Sequence, residues 1–124
     1  MVEIEVANHA GVELDLDAAA ALIRDVLHAE GVRDGELGLQ LVEPDEIRAL
    51  KREHLGIDEE TDALAFPIDG VDALPDEVPR QLGDIVLCPE VAGEAWRPPL
   101  VHAVLHLVGY DHGPEMEARE RAHT

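Results

Sequence analysis

The stretch that decides both the fold and the candidate site is residues 102–112, His-Ala-Val-Leu-His-Leu-Val-Gly-Tyr-Asp-His. On a helix, His102 and His106 share one face about one turn apart. Gly109 allows the helix to end in a left-handed turn, after which the chain can double back and bring His112 to the pair. Three imidazole ligands leave the fourth tetrahedral position of zinc open, which is typical of a catalytic site. The spacing therefore predicts one zinc ion per chain, held by His102, His106 and His112.

Two other interpretations of this stretch are weaker. A packed or solvated histidine without a metal is the usual interpretation of a single His, but it does not explain three histidines at this spacing as well. Metzincin proteases share the spacing, but they need a Glu directly after the first His as general base. That position is Ala103 here, so we predict no peptide hydrolysis. Asp111 is a candidate catalytic base, and the alternative is that it orients an imidazole or serves as a polar residue at the helix end.

Length and composition favour one domain spanning residues 1–124, because 46% of the residues are hydrophobic and can form an ordinary core. No apolar run approaches the ~20 residues that a membrane span needs, and the first residues do not resemble a secretory signal peptide. Cys88 is the single cysteine, which fits a reducing compartment. We therefore predict a cytoplasmic protein with no membrane partner, in which Cys88 is a small buried residue and not a ligand.

The charge argues against general nucleic-acid binding. Twenty-eight acidic residues against nine basic ones give a net charge of −19. Such a surface repels polyanions at long range, whereas nucleic-acid-binding proteins usually carry a basic patch. The simplest interpretation is a solvated acidic surface.

Hydrophobic periodicity and the Gly and Pro positions predict alternating strands and helices. The strands are expected near residues 4–6, 37–42, 61–66 and 84–88, and the helices near 18–30, 44–55, 90–95, 98–107 and 115–123. In the second helix, Ile47, Leu50 and His54 are predicted to face inward. Residues 68–81 are rich in Pro, Gly and Asp and predict an exposed loop. The order suggests an α+β or mixed α/β domain with one small sheet.

Residues 102–112 are similar to the signature of the YbeY family, the metal-dependent endoribonucleases of bacterial rRNA maturation. Residues 83–88, Gly-Asp-Ile-Val-Leu-Cys, and residues 61–67, Thr-Asp-Ala-Leu-Ala-Phe-Pro, resemble two strand motifs of that family. The resemblance implies an α+β, zincin-like fold with one small mixed sheet of about four strands and a metal site on the C-terminal helix and the following turn. It also implies zinc and a single-strand-specific endoribonuclease acting in 16S rRNA 3′-end maturation, ribosome biogenesis and quality control. The implied partners are single-stranded RNA, the small ribosomal subunit and its assembly factors.

The chain departs from the family pattern in three places. Leu55 stands where the family usually has an Arg, the segment between Cys88 and His102 is shorter than usual, and the C-terminal helix ends early. Arg52 lies one helical turn before Leu55, and we predict that it makes the missing phosphate contact, the alternative being an ordinary exposed charge. These departures leave two rival functions open: a ribosome-assembly binding protein with a vestigial metal site, or a zinc hydrolase of another small substrate.

Overall fold

A computed structural model describes residues 2–11, 13–69, 78 and 80–123 of the chain, and these residues form four strands and five helices. The strands are β1 (Val2–Asn8), β2 (Gly35–Leu41), β3 (Ala63–Pro67) and β4 (Gln81–Leu87). The helices are α1 (Leu16–Ala29), α2 (Pro44–Leu55), α3 (Pro89–Ala92), α4 (Arg97–Leu107) and α5 (Pro114–His123), with a 3₁₀ turn at Gly93–Ala95. No helix of the described residues is long and apolar enough to cross a membrane.

The strands form one mixed sheet in the order β1-β2-β4-β3. The strands β1, β2 and β4 run parallel, and β3 pairs antiparallel with β4. A parallel pair needs a crossover connection, and α1 supplies it between β1 and β2. The prediction of a small mixed sheet of about four strands packed with helices is confirmed, and β3 lies at one edge of that sheet.

The helix boundaries follow the local signals in the sequence. Asp15 precedes α1, and its carboxylate accepts a hydrogen bond from the backbone N–H of Ala18 at 3.0 Å, as a helix N-cap does. Pro44 stands at the start of α2, and Gly56 ends it in a left-handed conformation with φ 71°.

Helix α4 is buried almost all round. From Leu100 to Leu107, every residue is buried except His102 and His106, which are partly exposed. A helix that is apolar on all sides belongs in a core, and α4 packs against α1, β3 and β4. The two histidines therefore form the single open strip along this part of α4.

Gly83 in β4 brings α4 close to the sheet. A Cβ atom at this position would lie 2.3 Å from the carbonyl oxygen of Phe66 and 3.0 Å from the Cδ2 atom of Leu107, and the backbone φ is +136°. Only glycine tolerates both conditions without strain. The position of the histidine helix on the sheet therefore depends on the absence of a side chain at Gly83.

Two expectations from the sequence need correction. His54 is exposed, because its only ring–ring contact among the described residues is with Phe66 of the edge strand β3, with 4.9 Å between the ring centroids, whereas Ile47 near the start of α2 is fully buried. The fourth strand begins at Gln81 and not at Asp84, because residues 81–83 pair with β2 and β3 despite the glycine. Most of the predicted loop, at 70–77 and 79, lies outside the described residues.

Candidate metal centre

The three predicted ligands meet at one place. His102 and His106 lie on α4, and His112 lies in the turn that follows. Their ring centroids are 4.6, 4.9 and 4.8 Å apart, and one ring nitrogen from each residue lies within 4.8 Å of the other two. These three histidines can therefore hold a metal ion.

The turn after α4 is a Schellman motif, and it explains how His112 reaches the helix. The N–H of Tyr110 donates to the carbonyl of Leu105 at 3.1 Å, and the N–H of Gly109 donates to the carbonyl of His106 at 3.1 Å. Gly109 has φ +103°, in the region that only glycine enters readily. The chain reverses there, as the sequence predicted, and His112 comes back over the open strip of α4.

Hydrogen bonds fix the tautomer of two imidazoles. The Nδ1 atom of His106 lies 2.9 Å from the backbone carbonyl oxygen of Tyr110, and the Nδ1 atom of His102 contacts the carboxylate of Glu120 on α5. A carbonyl and an ionised carboxylate only accept hydrogen bonds, so both Nδ1 atoms carry the proton. The Nε2 atoms of both rings are then free to donate a lone pair to a metal, an arrangement typical of histidine ligands.

The spacing of the nitrogen atoms fits zinc. The two Nε2 atoms of His102 and His106 lie 3.1 Å apart, and tetrahedral zinc, with zinc–nitrogen bonds of about 2.0–2.1 Å, holds two ligand nitrogens about 3.3 Å apart. Burial lowers the pKa of His106, and the neighbouring His102 lowers it further, which favours the neutral imidazole that a metal ligand requires. A cation between the two Nε2 atoms would satisfy both lone pairs.

A groove of about 760 Å³ opens beside the histidines, within the size range of small-molecule and substrate sites. One wall is the edge strand β3, and the far end is formed by Lys51 and Leu55 of α2. Asp111 is exposed and lines the groove together with the three histidines. The structure thus brings the predicted base into the same groove as the predicted metal ligands.

Arg52 lies on the solvent side of α2 and is not among the described residues that line the groove. Its side chain is 57% exposed, and its guanidinium lies 4.0 Å from the carboxylate of Asp58. Its neighbour Lys51, the single lysine of the chain, lines the groove, is 14% exposed, and pairs with Glu59 at 2.7 Å. Sequence reasoning overlooked Lys51, although its place next to Arg52 was the available signal.

Sequence reasoning also missed Glu120, the partner of His102. The two residues are 18 positions apart and lie on different helices. No spacing within one helix could have linked them, because the contact depends on the angle at which α5 returns across α4.

The fold and the site together define a zincin-like α+β domain whose three histidines can hold a metal ion. The sequence profile described as Endoribonuclease YbeY matches residues 3–123. The chain therefore belongs to the YbeY family of endoribonucleases.

Similar proteins agree with this assignment over most of the chain. A protein of Salinispora tropica named Endoribonuclease YbeY is 41% identical over 139 residues, covering 96% of this chain and 88% of the relative. A protein of the same name from Halorhodospira halophila is 41% identical over 123 residues, covering 86% of this chain and 79% of the relative. The solution structure of TM1509 from Thermotoga maritima superposes with a TM-score of 0.59 at 28% identity, covering 99% of this chain and 86% of that protein. The family supports an endoribonuclease role and hence an RNA substrate.

Proposed function

We propose that this chain is a zinc-dependent, single-strand-specific endoribonuclease that acts in the maturation of the 3′ end of 16S rRNA. The observation that carries the metal dependence is the pair of Nε2 lone pairs of His102 and His106, 3.1 Å apart with His112 beside them. Membership of the YbeY family supports the cleavage of RNA. Zinc, when bound, supplies Lewis acidity toward a phosphoryl oxygen and acidifies a coordinated water.

The residues of the chain have distinct proposed roles around that chemistry. The imidazoles of His102, His106 and His112 hold zinc, and Asp111 accepts the proton of the attacking group at the mouth of the groove. Arg52 contacts a phosphate of the substrate after its long side chain leaves Asp58, to which it is held by a long, exposed ion pair of 4.0 Å that contributes little stability. A cation is needed beside the substrate phosphate because the net charge of −19 opposes RNA binding.

The groove suits an unpaired strand. Leu55 and Ile68 line it and are 56% and 64% exposed, so they offer apolar surface to bases that are not stacked in a helix. Single-stranded RNA is recognised through bases that are splayed out of the helix, and a duplex does not present the faces of its bases in this way. With this substrate, we propose that the protein acts in the cytoplasm together with the small ribosomal subunit and its assembly factors.

A cleavage assay tests the proposal. A single-stranded RNA that carries the 16S 3′ precursor sequence is expected to be cut, whereas the same RNA annealed to its complement is not. His106→Ala is expected to abolish cleavage, and His9→Ala is the matched control because the His9 side chain is exposed and lies 3.7 Å from the exposed carboxylate of Glu46. Equal cleavage by wild type and His106→Ala would refute the role of the site. A protein that binds small-subunit particles but leaves the RNA intact would instead be an assembly factor.

A further inference from the structure

We infer that Glu30, a residue outside the metal site, is the positioning residue that holds two of the imidazoles in their ligating orientation. The inference rests on the proposed metal site and adds a residue to it. Glu30 follows the last turn of α1, and its side chain is only 6% exposed. A buried carboxylate is costly unless it is fully hydrogen-bonded, so its partners indicate what it does.

The partners of Glu30 come from the elements that surround the metal site. One carboxylate oxygen accepts from the hydroxyl of Tyr110 at 2.7 Å. The other accepts from α5, where the Nε atom of Arg119 lies at 2.8 Å and the Nε2 atom of His123 at 3.1 Å. The second guanidinium nitrogen of Arg119 also contacts this oxygen. Glu30 thus ties the end of α1 to the turn after α4 and to α5.

The turn after α4 and helix α5, both held by Glu30, each orient one of the histidines proposed as metal ligands. Tyr110 is the residue whose backbone carbonyl accepts from the Nδ1 atom of His106 at 2.9 Å. Arg119 is followed directly by Glu120, whose carboxylate contacts the Nδ1 atom of His102. One buried carboxylate therefore sets the position of the acceptor for each of two imidazoles, without touching either ring.

The negative charge of Glu30 is essential to this arrangement. Burial opposes ionisation, but the hydrogen bonds from Arg119, Tyr110 and His123 outweigh it and hold the pKa of Glu30 below its ordinary value. A glutamine would keep the shape, and its NH₂ group could donate to the hydroxyl of Tyr110, which accepts as well as donates. What it would lose is the negative charge that pairs with Arg119, so the hold on α5, and with it the position of Glu120 beside His102, would weaken.

The experiment compares the metal affinity of Glu30→Gln with that of the wild type. Zinc affinity is measured by competition with a chelator, and the visible absorption of the Co²⁺-loaded protein reports the ligand geometry. Loss of a group that hydrogen-bonds a ligand directly typically weakens metal binding by about 10–100-fold. Because Glu30 acts one contact further out, we expect a loss near the lower end of this range together with an altered Co²⁺ spectrum. Tyr110→Phe removes one of the two ties and is expected to give a smaller loss in the same direction.

The matched control is Asp15→Ala, which removes the N-cap at the opposite end of the same helix. It is expected to lower the thermal stability while leaving zinc affinity and the Co²⁺ spectrum unchanged. The inference is overturned if Glu30→Gln binds zinc like the wild type, or if Asp15→Ala weakens binding equally. Should Glu30→Gln fail to fold, Tyr110→Phe decides by the same two readouts. A wild type that binds zinc but does not cut RNA would instead overturn the proposed function and leave this inference intact.

Discussion

Removal of the cation at Arg52 tests how an acidic protein holds RNA. Arg52→Ala deletes a side chain that is 57% exposed and weakly paired with Asp58, so folding and zinc content should not change. A charge-assisted contact to phosphate is worth about 1.5–3 kcal/mol. Because the side chain is exposed, we expect the lower end of this range, which lowers kcat/KM about tenfold.

The assay is cleavage of single-stranded RNA at low salt, where unscreened charges act most strongly. Arg48→Ala is the control, because Arg48 lies one turn earlier on α2 and pairs with Asp58 at 2.7 Å. Leu55→Arg in the Arg52→Ala background should restore part of the activity. Cleavage by Arg52→Ala at the wild-type rate would refute the reasoning, and a loss in Lys51→Ala alone would assign the contact to the lysine that lines the groove.

Three further predictions concern residues around the site. Cys88 is buried in a core cluster with Val42 and Ile47, so Cys88→Ser should retain full zinc content by elemental analysis, and loss of more than about half the metal from folded protein would show that the ligand set is wrong. Gly83→Ala should lower the free energy of unfolding in urea by about 2–4 kcal/mol, since it adds a clash to backbone strain. Gly31→Ala is its control, with φ +85° but nothing within 4 Å of the added Cβ, and an equal loss in both would exclude the clash. The low pKa of folded Glu30 means that its stabilising contribution is present above about pH 4.5 and is lost as the pH falls through the folded pKa. Unfolding in urea should therefore depend less steeply on acidic pH in Glu30→Gln, and identical slopes would contradict this.

Local signals in the sequence predicted the parts of the molecule that local interactions determine. The left-handed turn at Gly109 and the i,i+4 pair of His102 and His106 each depend on neighbouring residues along one element. For the same reason the chain reversal that brings His112 to α4 was predictable, because it is built within five residues of the helix end.

The parts that the sequence left open depend on packing between elements. Glu120 and Glu30 act through contacts across 18 and 80 or more residues, which no periodicity encodes. His54 has a helical spacing that predicts burial, yet among the described residues its ring pairs only with that of Phe66 on the edge strand and stays exposed. Which of Lys51 and Arg52 lines the groove likewise depends on how α2 is rotated about its axis, and the charge pattern alone does not fix that rotation.

The central claim is that one zinc ion, held by His102, His106 and His112, enables RNA cleavage. The most direct test removes all metal from the purified wild type with a chelator, returns zinc in measured steps, and follows bound zinc and cleavage of single-stranded RNA in the same samples. We expect cleavage to be absent from the metal-free protein, to rise in proportion to bound zinc and to saturate at one ion per chain. Full-rate cleavage by metal-free protein, or no cleavage at one zinc per chain, would contradict the claim.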